Sequence, residues 1–128
     1  MPAETLTEYA TVLRDPQADR DVVLRSIVSL AGGDDALLGY TEDQLYEALL
    51  AREDLGSTGF GDGIAIPHCH LPGLAKFVVG IVAVPAGATF DAVDGEPIRL
   101  AFFIFAPAER RNEHVSLLAS VSRLFASK

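Results

Sequence analysis

Apolar positions along the chain fall into helical and strand-like runs. Val22, Val23, Leu24, Ile27, Val28 and Leu30 recur at helical spacing behind Asp21, and Gly32-Gly33 follows, so a helix is predicted from Asp21 to about Leu30. Leu45, Ala48 and Leu49 form a second helical face behind Thr41-Glu42-Asp43-Gln44. A hydroxyl there, with an amide three residues later, is a weaker form of the capping box, and this helix should run to about Glu53. Phe77 to Val84 and Ile98 to Ala106 are continuous apolar runs, which is how central strands buried on both faces read. Pro85-Ala86-Gly87 and Pro107 close them, with an Asp94-Gly95 turn between. From His114 to Phe125, apolar residues repeat at three and four, giving a third, amphipathic helix.

Helices flanking fully apolar strands define a layered α/β domain around a buried sheet. Residues 1–128 read as one domain, without repeat or linker. Met1 to Arg20 is polar, holds Pro2 and Pro16, and is only briefly periodic around Leu6, Tyr9, Val12 and Leu13, so a lightly packed terminus is expected.

Composition narrows the function classes. A chain of 128 residues can bury roughly two thirds of the surface it would expose unfolded. The formal net charge of −8 argues against a general nucleic-acid or anionic-membrane binder and favours a partner with a basic surface. A single cysteine fits a reducing compartment. No apolar run has the length of a membrane span, and the start lacks the pattern of a secretory leader. A cytoplasmic protein without direct membrane insertion is the expectation.

The chemistry concentrates in Ser57-Thr58-Gly59-Phe60-Gly61-Asp62-Gly63-Ile64-Ala65-Ile66-Pro67-His68-Cys69-His70. Glycines at every second position let the backbone turn and uncover amides that suit an anion. Ile64-Ala65-Ile66 reads as a buried strand, and Pro67 ends its ladder and stiffens the backbone that presents His68. Arg52, sixteen residues earlier, and His114, far downstream, add a cation and a second imidazole. Two ordinary readings stand beside this one: His68 as a structural histidine, and Arg52 as a charge complementing a helix C-terminus. Asp62 reads best as a turn residue bonding its own backbone. Ser57, Thr58 and the Gly59 amide supply anion donors, and Phe60 and Leu71 flank the histidine as a partner surface, with Ile64 a core residue. The collected residues describe a phosphate-handling site better than a core.

The segments Ala51-Arg52-Glu53, Ser57-Thr58-Gly59, Gly63-Ile64-Ala65-Ile66-Pro67-His68, Phe90 to Pro97 and His114-Val115-Ser116-Leu117-Leu118-Ala119 resemble, in order and in separation, the enzyme IIA domains of the fructose, mannitol and nitrogen-regulatory phosphotransferase type. The resemblance runs from about Asp21 to Phe125. It implies a mixed sheet of about five strands with helices on both sides. It also implies that His68 is the phosphorylated histidine, with His114 and Arg52 as phosphate-binding neighbours. The activity implied is that of a phosphocarrier, which takes a phosphoryl group from an HPr-like protein and passes it to a IIB domain or uses it as a signal to regulatory targets. The scheme requires no metal and no cofactor.

Two features depart from the family pattern. Cys69 and His70 follow the histidine where small or polar residues are more usual, which keeps open a metal-binding module built from His68, His70 and His114. The chain also ends at Lys128 where relatives commonly continue for a further helical stretch, so a shortened C-terminal end, and with it room for a homodimer, is expected.

Overall fold

The computed structural model describes residues 6–15, 17–55, 59–61, 63–90, 95–109 and 115–120. Side chains of residues 6–8 and 59–61 are outside the description. The elements run β1 (Leu6–Val12), α1 (Arg20–Ala31), a single 3-10 turn (Asp35–Leu37), α2 (Glu42–Leu55), β2 (Gly59–Gly61), β3 (Ile64–Ala65), β4 (His68–Leu71), β5 (Phe77–Ala88) and β6 (Ile98–Pro107), followed by helical residues 115–120.

The sheet is mixed. Its order is β1-β5-β6-β3-β2, with β1 parallel to β5, β5 antiparallel to β6, β3 parallel to β6 and β2 antiparallel to β3. β4 also pairs with β6 in parallel. The pairs Ala65 with Ala101 and His68 with Ile104 keep one register, so β3 and β4 fill a single lane and the six strands make five lanes. The break between them falls at Ile66-Pro67, where proline offers no N–H to a ladder. β6 is long enough to resume pairing beyond it: Ile104 N–H donates to the Pro67 carbonyl at 3.0 Å.

Both helices begin as their sequences dictate. The Asp19 side chain accepts from the Val22 amide and caps α1, while Gly32 ends it. At α2, Gln44 N–H donates to Thr41 Oγ1 at 3.1 Å and Thr41 N–H donates to Gln44 Oε1 at 2.8 Å, a complete reciprocal box. α1 and α2 lay Leu24, Ile27, Leu45 and Leu49 on one sheet face, against Val78, Val82, Ala101 and Phe103. Leu117 and Leu118 of the last helical segment lie on the opposite face, against Ile64, Ile66, Phe77, Val79 and Ile104. Helices thus cover both faces, as expected.

Two local expectations are corrected. Residues 6–12 are an edge strand, not a lightly packed terminus; Tyr9 ties it down by donating its hydroxyl to the buried Asp34 carboxylate at 2.7 Å. Asp34 in turn caps the 3-10 turn through the Ala36 amide and lies 3.8 Å from Lys76 Nζ. The glycine-rich stretch is a small hairpin instead of an open loop: Gly59 and Gly61 lie in β2, and Gly63, at φ 77°, makes the turn into β3. Beyond Pro67 the chain pairs again as strand β4, which ends at Leu71.

Candidate functional site

His68 is the first residue of β4, half-buried, directly after the break that Pro67 imposes. Its strand neighbours alternate in burial: Cys69 and Leu71 point into the core, and His70 is exposed on the same side as His68. Ile66 falls between the two paired runs of the lane, and its carbonyl lies 2.6 Å from His68 Nδ1. A carbonyl only accepts, so this contact places the ring proton on Nδ1 and leaves a lone pair on Nε2.

Arg52 comes from the last turn of α2, whose stripe Leu45, Leu49 and Glu53 faces the interior. It donates from Nε to His68 Nε2 at 3.3 Å. The two residues brought forward from sequence therefore meet at the nitrogen that the Ile66 carbonyl leaves unprotonated. Burial pushes the His68 pKa below the usual imidazole value, the charges of Arg52 and His70 push the same way, and the Ile66 hydrogen bond opposes them. The ring is held neutral, as a nucleophile must be.

The remaining candidates divide. Ser57, Thr58, Asp62 and His114 lie outside the described residues, as does the side chain of Phe60. Gly59 pairs with Ala65 in the hairpin leading to the site. Leu71 is 4% exposed and packs among α2-facing core residues, so it forms no partner surface; alternation along β4 turns it inward with Cys69. Ile64 is buried, as expected. Among the described residues no group of three His, Cys, Asp or Glu side chains is placed to hold a metal ion. Cys69 is removed from any such cluster by its burial, which pushes its thiol up to about 12.

Sequence reasoning missed three features. The Ile66 carbonyl has no side-chain signature, though the proline after it marks the break in pairing. Glu53 is buried beside Arg52, and its position four residues after Leu49 on the apolar stripe was the available signal. Leu55, 86% exposed three residues after Arg52, ends α2 with an apolar side chain in solvent.

The family described as "Phosphoenolpyruvate-dependent sugar phosphotransferase system, EIIA 2" matches residues 6–128, and the chain belongs to it. A nitrogen regulatory protein of Pseudomonas aeruginosa is 36% identical over 121 residues, 94% of this chain and 77% of that protein. Four other curated nitrogen regulatory proteins are matched over about half to two thirds of their length. The crystal structure of the nitrogen regulatory protein IIA-Ntr from Neisseria meningitidis superposes with a TM-score of 0.83 at 26% identity, covering 96% of this chain and 82% of that one. Enzyme IIAMTL from Escherichia coli, solved in complex with phosphorylated enzyme IIBMTL, gives 0.66 at 25% identity, covering 98% of this chain and 81% of that one. The fold is therefore that of the IIA proteins of the phosphotransferase system. No helix among the described residues is long and apolar enough to cross a membrane.

Proposed function

We propose that His68 accepts a phosphoryl group on Nε2 from an HPr-like phosphohistidine carrier, or its nitrogen-branch equivalent, in the cytoplasm, and relays it to a IIB domain or holds it as a regulatory signal. The observation that carries this reading is the pair of contacts on one ring: Nδ1 at 2.6 Å from the Ile66 carbonyl and Nε2 at 3.3 Å from Arg52 Nε.

In the step itself, the Nε2 lone pair forms the new N–P bond as the bond from phosphorus to the donor's nitrogen breaks, and that electron pair returns to the donor. Nδ1 keeps its proton, so the ring takes on positive charge at the moment of transfer. The Ile66 carbonyl dipole is already aimed at that N–H, a preorganised acceptor that needs no rearrangement. Arg52 moves its planar donors from Nε2 to the phosphoryl oxygens, where each charge-assisted bond contributes on the order of 1.5–3 kcal/mol. His114 and the Ser57-Thr58-Gly59 segment supply the remaining donors in this scheme, with His114 just ahead of the helical residues that cover the His68 side of the sheet.

The similarity to nitrogen regulatory proteins favours the regulatory branch, in which the phosphorylation state of His68 selects the protein bound. The complex formed by IIAMTL supports a IIB domain as the alternative acceptor. In this scheme exposed Leu55, three residues after Arg52 in α2, replaces the buried Leu71 as an apolar element of the partner surface. Intact-mass spectrometry after incubation with phosphoenolpyruvate, enzyme I and an HPr-like carrier tests the reading: one acid-labile phosphoryl group is expected on the parent protein and none on His68→Ala.

A further inference from the structure

His70 is the feature of the site that the proposed relay leaves unused. β4 sets His68 and His70 on one side of the strand, opposite Ile104 and Ala106 of β6, while Cys69 and Leu71 between and after them enter the core. The bases of alternate strand residues stand about 7 Å apart. A phosphoryl group on His68 Nε2 would therefore lie beside Arg52, which reaches the ring from α2, on the side of β4 that also carries His70.

We propose that His70 is a positioning residue that acts as a pH-graded cation beside the phosphoryl group of His68, lengthening the life of the phosphorylated state when protonated and releasing it when neutral. The inference rests on the phosphorylation of His68 proposed above and adds regulation to it. Imidazole is the side chain whose charge ordinarily changes between pH 5 and 8, so the residue type suits a graded control that a lysine or arginine would make permanent.

The surroundings leave His70 and Arg52 as the described cations on this side. β6 presents only apolar residues alongside β4, from Ile104 to Pro107. Helical residues 115–120 carry no ionisable side chain, and the acidic member of the last turn of α2 nearest Arg52 is the buried Glu53. The two histidines already sense each other: after burial and Arg52, His70 is a further influence that disfavours a proton on His68.

The test compares the parent with His70→Asn, which is neutral at every pH, and His70→Lys, which is always charged. Each protein is phosphorylated by an HPr-like carrier, freed of it, and followed by 31P NMR for loss of phosphohistidine between pH 5.5 and 8.5. The ratio of parent to His70→Asn lifetimes is expected to be about two- to fivefold at the acid end, the range for an exposed charge contact, and to fall to about one at the alkaline end. The His70→Lys ratio should stay raised throughout. In the unphosphorylated proteins, the His68 ring should titrate at higher pH in His70→Asn. A phosphorylated parent whose lifetime ratio does not change with pH overturns the proposal alone. A parent that takes no phosphoryl group on His68 overturns the reading of the site, and this proposal with it.

Discussion

Arg52 Nε lies 3.3 Å from His68 Nε2, so the last turn of α2 and the first residue of β4 converge on one nitrogen. The contact places a guanidinium against that nitrogen, where the proposed transfer would bring the phosphoryl oxygens. Arg52→Gln should reduce the rate of phosphoryl acceptance about 10- to 100-fold, the equivalent of one charge-assisted bond, while His68 remains the residue modified. Arg52→Lys should recover only part of this, because an ammonium lacks the planar fork. Single-turnover kinetics with a phosphorylated carrier measures both; equal rates in parent and Arg52→Gln would remove Arg52 from the transfer step.

The protonation of His68 sets the pH dependence. Its pKa lies below the ordinary 6.5 because burial, then Arg52 and His70, disfavour the charged ring. Acceptance rates should therefore stay level as pH falls through 6.5 and decline only below it, when Nε2 takes up a proton. Stability follows the same sign: in the unfolded chain the ring protonates near 6.5, the folded ring later, so the folded state loses stability as pH drops from about 6.5 to the folded value and is unaffected by this group above it. NMR titration of the ring is the check, and a midpoint above 6.5 contradicts it.

Strong local patterns made much of this structure legible. Val22 to Leu30 and the Thr41/Gln44 box announce their helices, and Phe77 to Val84 and Ile98 to Ala106 are apolar on both faces because both faces of the sheet are covered. β1 was not legible, since its pairing depends on β5, with Leu6 opposite Phe77, far away in sequence. β4 carried the alternation of a strand, with His68 and His70 on one side and Cys69 and Leu71 on the other, but only β6 running past Pro67 could show that pairing resumes there. At the site, Arg52 and His68 were readable as residue types. Their meeting, and the Ile66 carbonyl that fixes the tautomer, depend on where two elements end.

Cys69 lies one residue from the site and should nevertheless be chemically silent. It is buried, and its thiol is pushed up to about 12 by desolvation, so almost no thiolate exists at neutral pH. Ellman's reagent should leave the native protein unmodified at pH 7.5 and react with one thiol per chain after denaturation. Rapid native labelling would contradict the burial assigned to β4.

Gly80 lets β1, β5 and β6 approach. A Cβ there would meet the Phe103 ring at 2.5 Å and the Tyr9 carbonyl at 2.6 Å, and the latter is backbone that cannot step aside without disturbing β1. Gly80→Ala should destabilise the fold by about 1–3 kcal/mol through overpacking. Urea denaturation should show a lower midpoint, and an unchanged midpoint would mean that the strands yield more readily than their packing implies.

The central claim is that His68 carries the phosphoryl group on Nε2 while Nδ1 keeps its proton on the Ile66 carbonyl. Long-range 1H–15N correlation of the imidazoles in the phosphorylated protein tests it most directly, because it identifies both the ring and the nitrogen. The expected spectrum shows phosphorus bound to Nε2 of His68 and a protonated Nδ1, with no phosphohistidine in His68→Ala. Phosphorus on Nδ1, or on His70 or His114 with His68 unmodified, would contradict the account.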